Sequence, residues 1–340
     1  MTDEPVPDTF DGQRAASEYL DAVWLDGEFV DWDDATVHVL THGLHYGTSV
    51  FEGVRCYDTG AGPALFRWDD HLDRLYDSAR ALGMAIPFDR ETLTGATLEL
   101  IRRQRLGSCY VRPIAFYGDE RLGVTPRYPT EIPVRVAVAC WPWGTYLGEG
   151  AIESGVDVAV SSWRKYSPAA IPTTAKHSGA YVNGVLAGEE ARRNGYAEAL
   201  LLNEAGNVAE GPGENVFLVR DGELYTPGLA EGVLAGTTRD SAIRIARDLG
   251  CAVHDDATIS RGELYTADEL FFTGTAAEVT PIRSVDDVVV GDGGRGPVTE
   301  AVQSRFFDVV RRRVDDYGEW FTHVGGERAE LGAARKSPGA

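Results

Sequence analysis

Short apolar runs bounded by turn residues recur along the chain and predict β-strands. The runs at residues 23–25 and 28–30 flank Asp26-Gly27, which predicts a hairpin closed by a two-residue turn. Further strands are predicted at residues 37–40, 109–116, 134–141, 156–161, 199–203, 215–220, 223–225 and 271–278.

Five other segments place apolar residues three and four positions apart, which predicts amphipathic helices. In the first, at residues 66–84, Leu72, Leu75, Ala79 and Leu82 form the predicted buried face, and Arg74 lies beside it. The other predicted helices are at residues 90–105, 181–195, 241–249 and 298–314. Because helices and strands are interspersed, the pattern predicts a mixed α/β fold.

The length of 340 residues and the 43% hydrophobic content are enough for one large or two medium-sized domains with real cores. A run rich in Gly and aromatic residues follows the strand that ends at Trp141, and it predicts the connection between two domains. The predicted organisation is an acidic extension at 1–20, a small α/β domain at 21–142, an interdomain loop at 143–152, a large α/β domain at 153–323 and a disordered tail at 324–340.

Composition narrows the class of protein. The first residues lack the features of a signal peptide, and the sequence has no apolar run of about 20 residues, so we expect a cytoplasmic protein. The four cysteines fit no zinc spacing and are expected to be free thiols. A formal net charge of -21 argues against nucleic-acid or anionic-membrane partners. It also suggests a halophilic source, since a Debye length of about 3 Å at 1 M salt screens self-repulsion.

Lysine is scarce, which draws attention to Lys176. The sequence contains only Lys165, Lys176 and Lys336, and the first and last of these lie in polar surroundings that predict solvated side chains. Lys176 instead stands between a proline-marked strand end and an apolar helical pattern. Burial there would lower its pKa by up to roughly 3 to 5 units and supply the free amine that imine chemistry requires. The alternative is a surface lysine.

Other residues add to this chemistry, although each has a simpler explanation. Glu210 opens a Gly/Pro-rich turn, where it is either a solvated acid or the partner of a protonated ring nitrogen. Thr237 and Thr238 precede a helix, where they either cap it or bind an anion. Together with Lys176 and the tyrosines, these groups are the parts needed to hold pyridoxal phosphate. His42 and His45 have no further ligand at metal spacing, so no metal site is predicted.

The chain resembles fold type IV pyridoxal phosphate enzymes and, within them, the branched-chain amino-acid aminotransferases of bacteria and archaea. The resemblance extends from about Val23 to Tyr317 and is carried by four runs, at residues 42–57, 171–181, 210–215 and 272–281. It implies a two-domain architecture like that of D-amino-acid aminotransferases, in which the large domain is a pseudo-barrel. It also implies transamination between Leu, Ile or Val and 2-oxoglutarate.

The resemblance implies a role for each matching residue. Lys176 forms the Schiff base with the cofactor. The other implied cofactor-binding residues are Glu210 at the pyridine nitrogen, Tyr181 at the ring hydroxyl, and Arg74, Thr237, Thr238 and Thr275 at the phosphate. The implied substrate pocket is Phe51, Gly53, Arg55, Tyr110, Arg112, Trp143, Tyr146, Thr275 and Ala276, with Tyr46 and Val124 from a neighbouring subunit.

Several alternatives stay open beside this reading. The same fold hosts D-amino-acid aminotransferases and aminodeoxychorismate lyases, and a non-catalytic ligand-binding protein is a further possibility. His177-Ser178 and Thr237-Thr238 depart from the residues usual in the family, which bears on cofactor affinity. The implied partners are small-molecule substrates and further copies of the chain, as a homodimer or homohexamer.

Overall fold

A computed structural model describes residues 20–119, 123–125, 132–144, 146–148 and 150–325. Residues 1–19 of the predicted extension and residues 326–340 of the predicted tail lie outside these ranges. Leu20 and Val324, at the two ends of the described chain, are both buried in the same hydrophobic cluster. Within the described ranges, no helix is long and apolar enough to cross a lipid bilayer.

The described residues form sixteen strands and eight α-helices in a mixed α/β fold. The strands are β1 (Ala22–Leu25), β2 (Glu28–Asp31), β3 (Ser49–Phe51), β4 (Val54–Thr59), β5 (Gly62–Phe66), β6 (Cys109–Tyr117), β7 (Val134–Trp141), β8 (Val156–Arg164), β9 (Glu198–Leu202), β10 (Asn215–Arg220), β11 (Glu223–Pro227), β12 (Val253–Ala257), β13 (Glu269–Gly274), β14 (Glu278–Val285), β15 (Val288–Val289) and β16 (Phe321–His323). The helices are α1 (His42–Tyr46), α2 (Trp68–Ala81), α3 (Arg90–Arg103), α4 (Ala151–Ser154), α5 (Tyr181–Arg193), α6 (Thr237–Asp248), α7 (Arg261–Leu264) and α8 (Pro297–Val310).

The strands form two sheets of eight. The first has the order β16-β5-β4-β6-β7-β1-β2, with β3 also paired to β6, and its pairs are antiparallel. The second has the order β12-β11-β10-β13-β14-β8-β9, with β15 beside β14, and it contains three parallel pairs. The last strand, β16, returns to the first sheet, although the predicted large domain extends to residue 323. The domain boundaries stay predictions.

Most of the predicted elements are present, and the differences have local causes. The hairpin β1–β2 turns at Asp26 and Gly27, whose φ angles of 49° and 103° match the left-handed turn that this dipeptide favours. The strand predicted at residues 37–40 is wrong. His38 accepts a hydrogen bond from the Thr41 amide at its carbonyl oxygen and one from the Leu40 amide at Nδ1, so the chain turns back instead of extending.

Two helices differ from their predicted limits by four residues at one end. α6 begins at Thr237, four residues before the predicted start, which puts both threonines in its first turn. α8 ends at Val310 rather than at residue 314, but Val302 and Phe306 lie in the core as predicted.

The backbone of Lys176 is held between α2 and β3. Its amide donates to Ser78 Oγ of α2 at 2.9 Å, and its carbonyl accepts from the Phe51 amide at 3.1 Å. The neighbouring His177 forms a β-bridge with Val50. The lysine therefore belongs to the joint between the two sheets and not to a free loop.

Helix α5 packs on β8 and β9 through small residues. Gly184, Ala187 and Ala191 are its buried positions, whereas the apolar side chains of Val182, Val185 and Leu186 are exposed. A Cβ atom at Gly184 would lie 2.8 Å from the carbonyl oxygen of Pro212, in the turn that follows Glu210. Close packing of this helix therefore fixes the position of that turn.

We expect Gly184→Ala to destabilise the protein by about 1–3 kcal/mol, because the added methyl group would clash with the backbone of Pro212 and force it to move. Gly188→Ala, one turn further along the helix, is the control: its Cβ would meet its nearest atom, Glu198 Oε1, at 3.5 Å. Alanine there should add up to about 1 kcal/mol through helix propensity. Chemical denaturation measures both variants, and equal effects would contradict the packing argument.

Candidate active site

A small cavity lies next to Lys176, at the joint between the sheets. Its lining comes from the end of β8, from the start of α5 and from the turn before β10. Lys176, Tyr181 and Glu210, which the sequence singled out separately, all line it. The fold thus brings together residues that are up to 34 positions apart in sequence.

The amine of Lys176 lies between two aromatic rings. Its Nζ is 5.1 Å from the ring centroid of Phe51 and 5.0 Å from that of Tyr181, and it donates to the Tyr181 hydroxyl. Burial, reinforced by the nearby charge of Arg74, lowers the pKa of Lys176 to about 8. Burial and the charge of Glu210 raise the pKa of Tyr181, which keeps its hydroxyl protonated.

The prediction that Lys165 is solvated is wrong. This side chain is only 8% exposed and lines the same cavity as Lys176. Its Nζ lies 2.5 Å from Glu210 Oε1 and 4.2 Å from the ring centroid of Tyr166. The polar sequence around it misled the prediction, because its partner Glu210 is 45 residues further along the chain.

Glu210 is buried and receives three hydrogen bonds. Lys165 donates to Oε1, while the Asn215 side chain donates to Oε2 at 3.1 Å and the Leu234 amide to the same atom at 2.9 Å. A β-bridge between Glu210 and Asn215 closes the intervening turn. The carboxylate is therefore fixed in place on both of its oxygens.

Arg74 is held by a carboxylate that sequence reasoning missed. Its Nε and Nη2 donate to the two oxygens of Glu52 at 2.7 and 2.8 Å, and His71 Nδ1 lies 2.7 Å from Glu52 Oε2. Burial opposes the charge of Glu52, yet Arg74 and His71 hold the pKa of this carboxyl group well below its usual range.

The remaining Nη1 of Arg74 donates to the carbonyl of Ala235 at 2.7 Å, just before α6. Thr237 and Thr238 are buried in the first turn of that helix, and no side chain caps its start. Amide groups at an uncapped helix start, next to a guanidinium, form an anion site.

A cluster of aromatic rings surrounds Arg112. Its guanidinium lies 4.8 Å from the Phe51 ring centroid, 5.3 Å from that of Tyr110 and 5.7 Å from that of Trp141. Its Nε is buried and finds no hydrogen-bond partner among the described residues. A cation inside an apolar wall, with a buried donor left over, suits a ligand that carries both a carboxylate and aliphatic carbon.

Arg55 ties the first sheet to the β13–β14 turn. It donates to the carbonyls of Thr275 and Ala276 at 2.9 Å each and to that of Gly144 at 3.1 Å. These bonds fix the positions of Thr275 and Ala276, the two residues of the turn that were predicted to bind substrate.

The other predicted pocket residues lie close together. A Cβ atom on Gly53 would come within 1.8 Å of the Tyr110 hydroxyl oxygen, so only glycine fits there. Trp143 has its ring centroid 5.1 Å from that of Tyr110 and 6.5 Å from that of Tyr146.

Tyr46 and Val124 do not line this cavity. Both are exposed, at 47% and 72%, and His42 links their two segments. The His42 ring lies 4.6 Å from the Tyr46 ring between centroids, and its Nε2 is 2.9 Å from the carbonyl oxygen of Gly123. The two predicted neighbouring-subunit residues therefore share one surface of the single chain.

The sequence matches the family model described as amino-transferase class IV over residues 49–285. The branched-chain-amino-acid aminotransferase of Escherichia coli strain K12 is 46% identical over 304 residues, which cover 89% of this chain and 97% of that protein. The chain belongs to the class IV aminotransferases.

Solved structures of family members have the same fold. A crystal structure of the Escherichia coli branched-chain enzyme gives a TM-score of 0.88 at 46% identity, covering 90% of this chain and 100% of its own. Three structures of a T.th. branched-chain enzyme give TM-scores of 0.86, 0.85 and 0.85 at 47%, 46% and 45% identity, each covering 90% of this chain and 99% of theirs. These three were solved with pyridoxamine 5′-phosphate, with N-(5′-phosphopyridoxyl)-L-glutamate and with 4-methylvaleric acid.

Class IV aminotransferases use pyridoxal phosphate, and the groups present here fit its three polar parts. The cavity offers a buried primary amine for the aldehyde and a fixed carboxylate for the ring nitrogen. The uncapped start of α6, next to Arg74, offers donors for the phosphate. The two departures from the family pattern, His177-Ser178 and Thr237-Thr238, do not remove any of these groups.

Three buried groups at or near the site escaped the sequence analysis: Lys165, Glu52 and Glu214. Burial and the charge of Glu198 raise the pKa of Glu214, in the cavity wall, to about 8, and neither Glu198 nor Glu214 has an ion-pair partner among the described residues. The scarcity of lysine, which singled out Lys176, applied equally to Lys165. Glu52 lies between two residues, Phe51 and Gly53, that were predicted as pocket residues.

We expect Glu52→Gln to lower the free energy of unfolding by about 3–5 kcal/mol, because it leaves buried Arg74 without its counter-ion. Without Glu52 the Arg74 guanidinium would no longer be held in position, and pyridoxal phosphate should therefore bind more weakly. Asp77→Asn is the control, since it removes an exposed ion pair with Arg80 on the same helix and should cost less than about 1 kcal/mol. Thermal unfolding and cofactor titration measure both, and a Glu52→Gln protein as stable as the control would contradict this assignment.

Proposed function

We propose that the chain transfers amino groups between the branched-chain L-amino acids Leu, Ile and Val and 2-oxoglutarate, giving branched 2-oxo acids and L-glutamate. The observation that carries the proposal is the contrast between the two lysines of one cavity. Lys165 is fixed as a cation by Glu210, whereas burial lowers the pKa of Lys176 to about 8 and so makes its free amine more accessible near neutral pH. The branched-chain substrates come from the names of the relatives.

Lys176 would hold the cofactor through its amine, and the same amine would move a proton to and from the substrate Cα. The cofactor, when bound, supplies the electron sink for the carbanion at that carbon. Glu210 keeps the ring nitrogen protonated. Tyr181 bonds the ring hydroxyl, which its contact with the Lys176 amine supports.

The phosphate is assigned to Arg74 with Thr237, Thr238 and Thr275. The uncapped start of α6 and the contact of Arg74 with Ala235 support this assignment. Glu52 accepts hydrogen bonds from two nitrogens of Arg74. The third nitrogen, Nη1, would therefore be the one that exchanges its bond to the Ala235 carbonyl for a bond to the phosphate. Thr275 adds its hydroxyl from the turn that Arg55 holds.

The substrate pocket has to accept two side chains of opposite polarity. We assign the distal carboxylate of glutamate to Arg112 and the aliphatic chains to Phe51, Tyr110, Trp143 and Tyr146. The Thr275–Ala276 turn receives the α-carboxylate. The complexes of the T.th. enzyme with a phosphopyridoxyl-glutamate and with 4-methylvaleric acid support a single pocket that takes both kinds of ligand.

We further propose that a second copy of the chain completes the pocket with its Tyr46 and Val124. The exposed apolar residues of α1 and α5 support a contact between copies, as homodimer or homohexamer. They are Leu44, Tyr46, Val182, Val185 and Leu186. A monomer in sedimentation that keeps full activity would contradict this.

A cytoplasmic location and a high-salt habitat are inferred from the sequence. Support comes from the free, mostly buried cysteines and from the net charge of -21. If the protein is fully folded and active in low-salt buffer, the inferred high-salt habitat is contradicted.

The reaction class is tested by a single half-reaction. Holoenzyme mixed with excess L-leucine, without 2-oxoglutarate, should release about one 4-methyl-2-oxopentanoate per site, because only the cofactor can accept the amino group. D-alanine should release no pyruvate. Pyruvate from D-alanine without product from L-leucine would favour the D-amino-acid enzymes, and a protein that takes up no pyridoxal phosphate would favour a binding protein.

Arg112→Met is expected to raise KM for 2-oxoglutarate on the order of 10- to 100-fold, since a charge-assisted bond is lost. KM for L-leucine should change only a few-fold, because its side chain has no carboxylate. Arg135→Met is the matched control: this arginine on β7 also lies over an aromatic ring, but it pairs with Asp26. Equal changes in both KM values for Arg112→Met would contradict the assignment.

A further inference from the structure

The cavity contains two lysines whose surroundings differ in kind. Among the described residues, the Lys176 amine contacts the Tyr181 hydroxyl and two aromatic rings and no carboxylate, whereas Lys165 has a carboxylate at 2.5 Å. Burial alone would lower the pKa of Lys165, but Glu210 reverses this and raises it above its ordinary value. The proposed function uses Lys176 and leaves Lys165 without a role.

The backbone holds Lys165 rigidly at the end of β8. Its amide donates to the Leu202 carbonyl at 2.8 Å, and the carbonyl of the preceding Arg164 accepts from the Asn183 side chain at 2.9 Å. The ammonium then lies over the Tyr166 ring and reaches Glu210. It is thus a fixed cation, and not a flexible surface charge that happens to be close.

Glu210 depends on this cation. The other donors to its carboxylate, Asn215 and the Leu234 amide, are neutral, so Lys165 carries the only positive charge in hydrogen-bond contact with it among the described residues. A buried carboxylate without a cation is costly and favours its protonated form. A protonated carboxyl group would be a poor partner for a pyridinium N–H, which needs an acceptor.

We propose that Lys165 is a positioning residue whose ion pair holds the Glu210 carboxylate at the cavity wall, ready for the ring nitrogen of pyridoxal phosphate. The inference rests on the proposed function. Lys165 then shares Glu210 with the ring nitrogen once the cofactor is bound, and it contacts neither the substrate nor the reacting atoms. The same ion pair keeps Lys165 charged, so that Lys176 is the lysine of the cavity whose pKa is lowered.

The test compares Lys165→Met, Lys165→Arg, Glu210→Gln and the double variant Lys165→Met/Glu210→Gln in the full chain. Without cofactor, Lys165→Met should lower Tm on the order of 5 to 10 °C, because it leaves Glu210 unpaired. The double variant should be more stable than Lys165→Met, since neither buried charge remains. Changes in Tm that simply add would overturn the proposed dependence.

Holoenzyme supplies the functional readout. Lys165→Met should weaken pyridoxal phosphate binding at least about tenfold and lower kcat on the order of 10- to 100-fold, with KM for L-leucine changed only a few-fold. Lys165→Arg, which retains a cation, should restore affinity and kcat to within a few-fold of the natural protein. The visible spectrum of Lys165→Met should shift in the same direction as that of Glu210→Gln, because both disturb the ring nitrogen.

Arg283→Met is the control for loss of an arbitrary ion pair, since Arg283 pairs with Asp157 beside a different groove and is 43% exposed. It should leave cofactor affinity and spectrum unchanged. A Lys165→Met protein with natural affinity, spectrum and kcat would overturn the proposal. The unfolding cycle needs neither cofactor nor substrate, so it is decisive even if L-leucine proves not to be a substrate.

Discussion

Burial of the Glu52 carboxylate is the constraint on which the site depends. A charge removed from water needs a counter-charge, which Arg74 of α2 supplies here; His71 of the same helix adds a hydrogen bond, and Glu52 itself follows β3. This ion pair locks α2 against the first sheet. Because Ser78 of the same helix binds the Lys176 amide, and Arg74 reaches the start of α6, one carboxylate connects the lysine, the anion site and the sheet.

The same requirement for a counter-charge applies to a second carboxylate, in the wall of the cavity. Glu210 is buried together with Lys165, and this ion pair carries no net charge. Among the described residues, no carboxylate contacts the Lys176 amine, and burial lowers its pKa to about 8. The chemical difference between two lysines of one cavity therefore arises from which of them has a carboxylate partner.

Much of the fold could be read from local sequence, and the failures show where local information ends. The Asp26-Gly27 hairpin was predictable because two residues determine a turn. Residues 37–40 have the composition of a strand, but the turn at His38 depends on hydrogen bonds that composition does not record. Lys176 and Glu210 were recognisable from their runs. Lys165 and Glu52 were not, because a charged residue in a polar or Gly-rich run looks solvated until its distant partner is known.

Arg55 has a mechanical consequence. Its three bonds, to Thr275, Ala276 and Gly144, cross from the first sheet to the turn of the second and to the chain that connects them. Any hinge motion at that connection would first have to break these bonds. The walls of the proposed pocket are therefore already in position. In the proposed function, discrimination between aliphatic side chains then depends on the shape of a preformed surface, where one methylene is worth only about 1–3 kcal/mol.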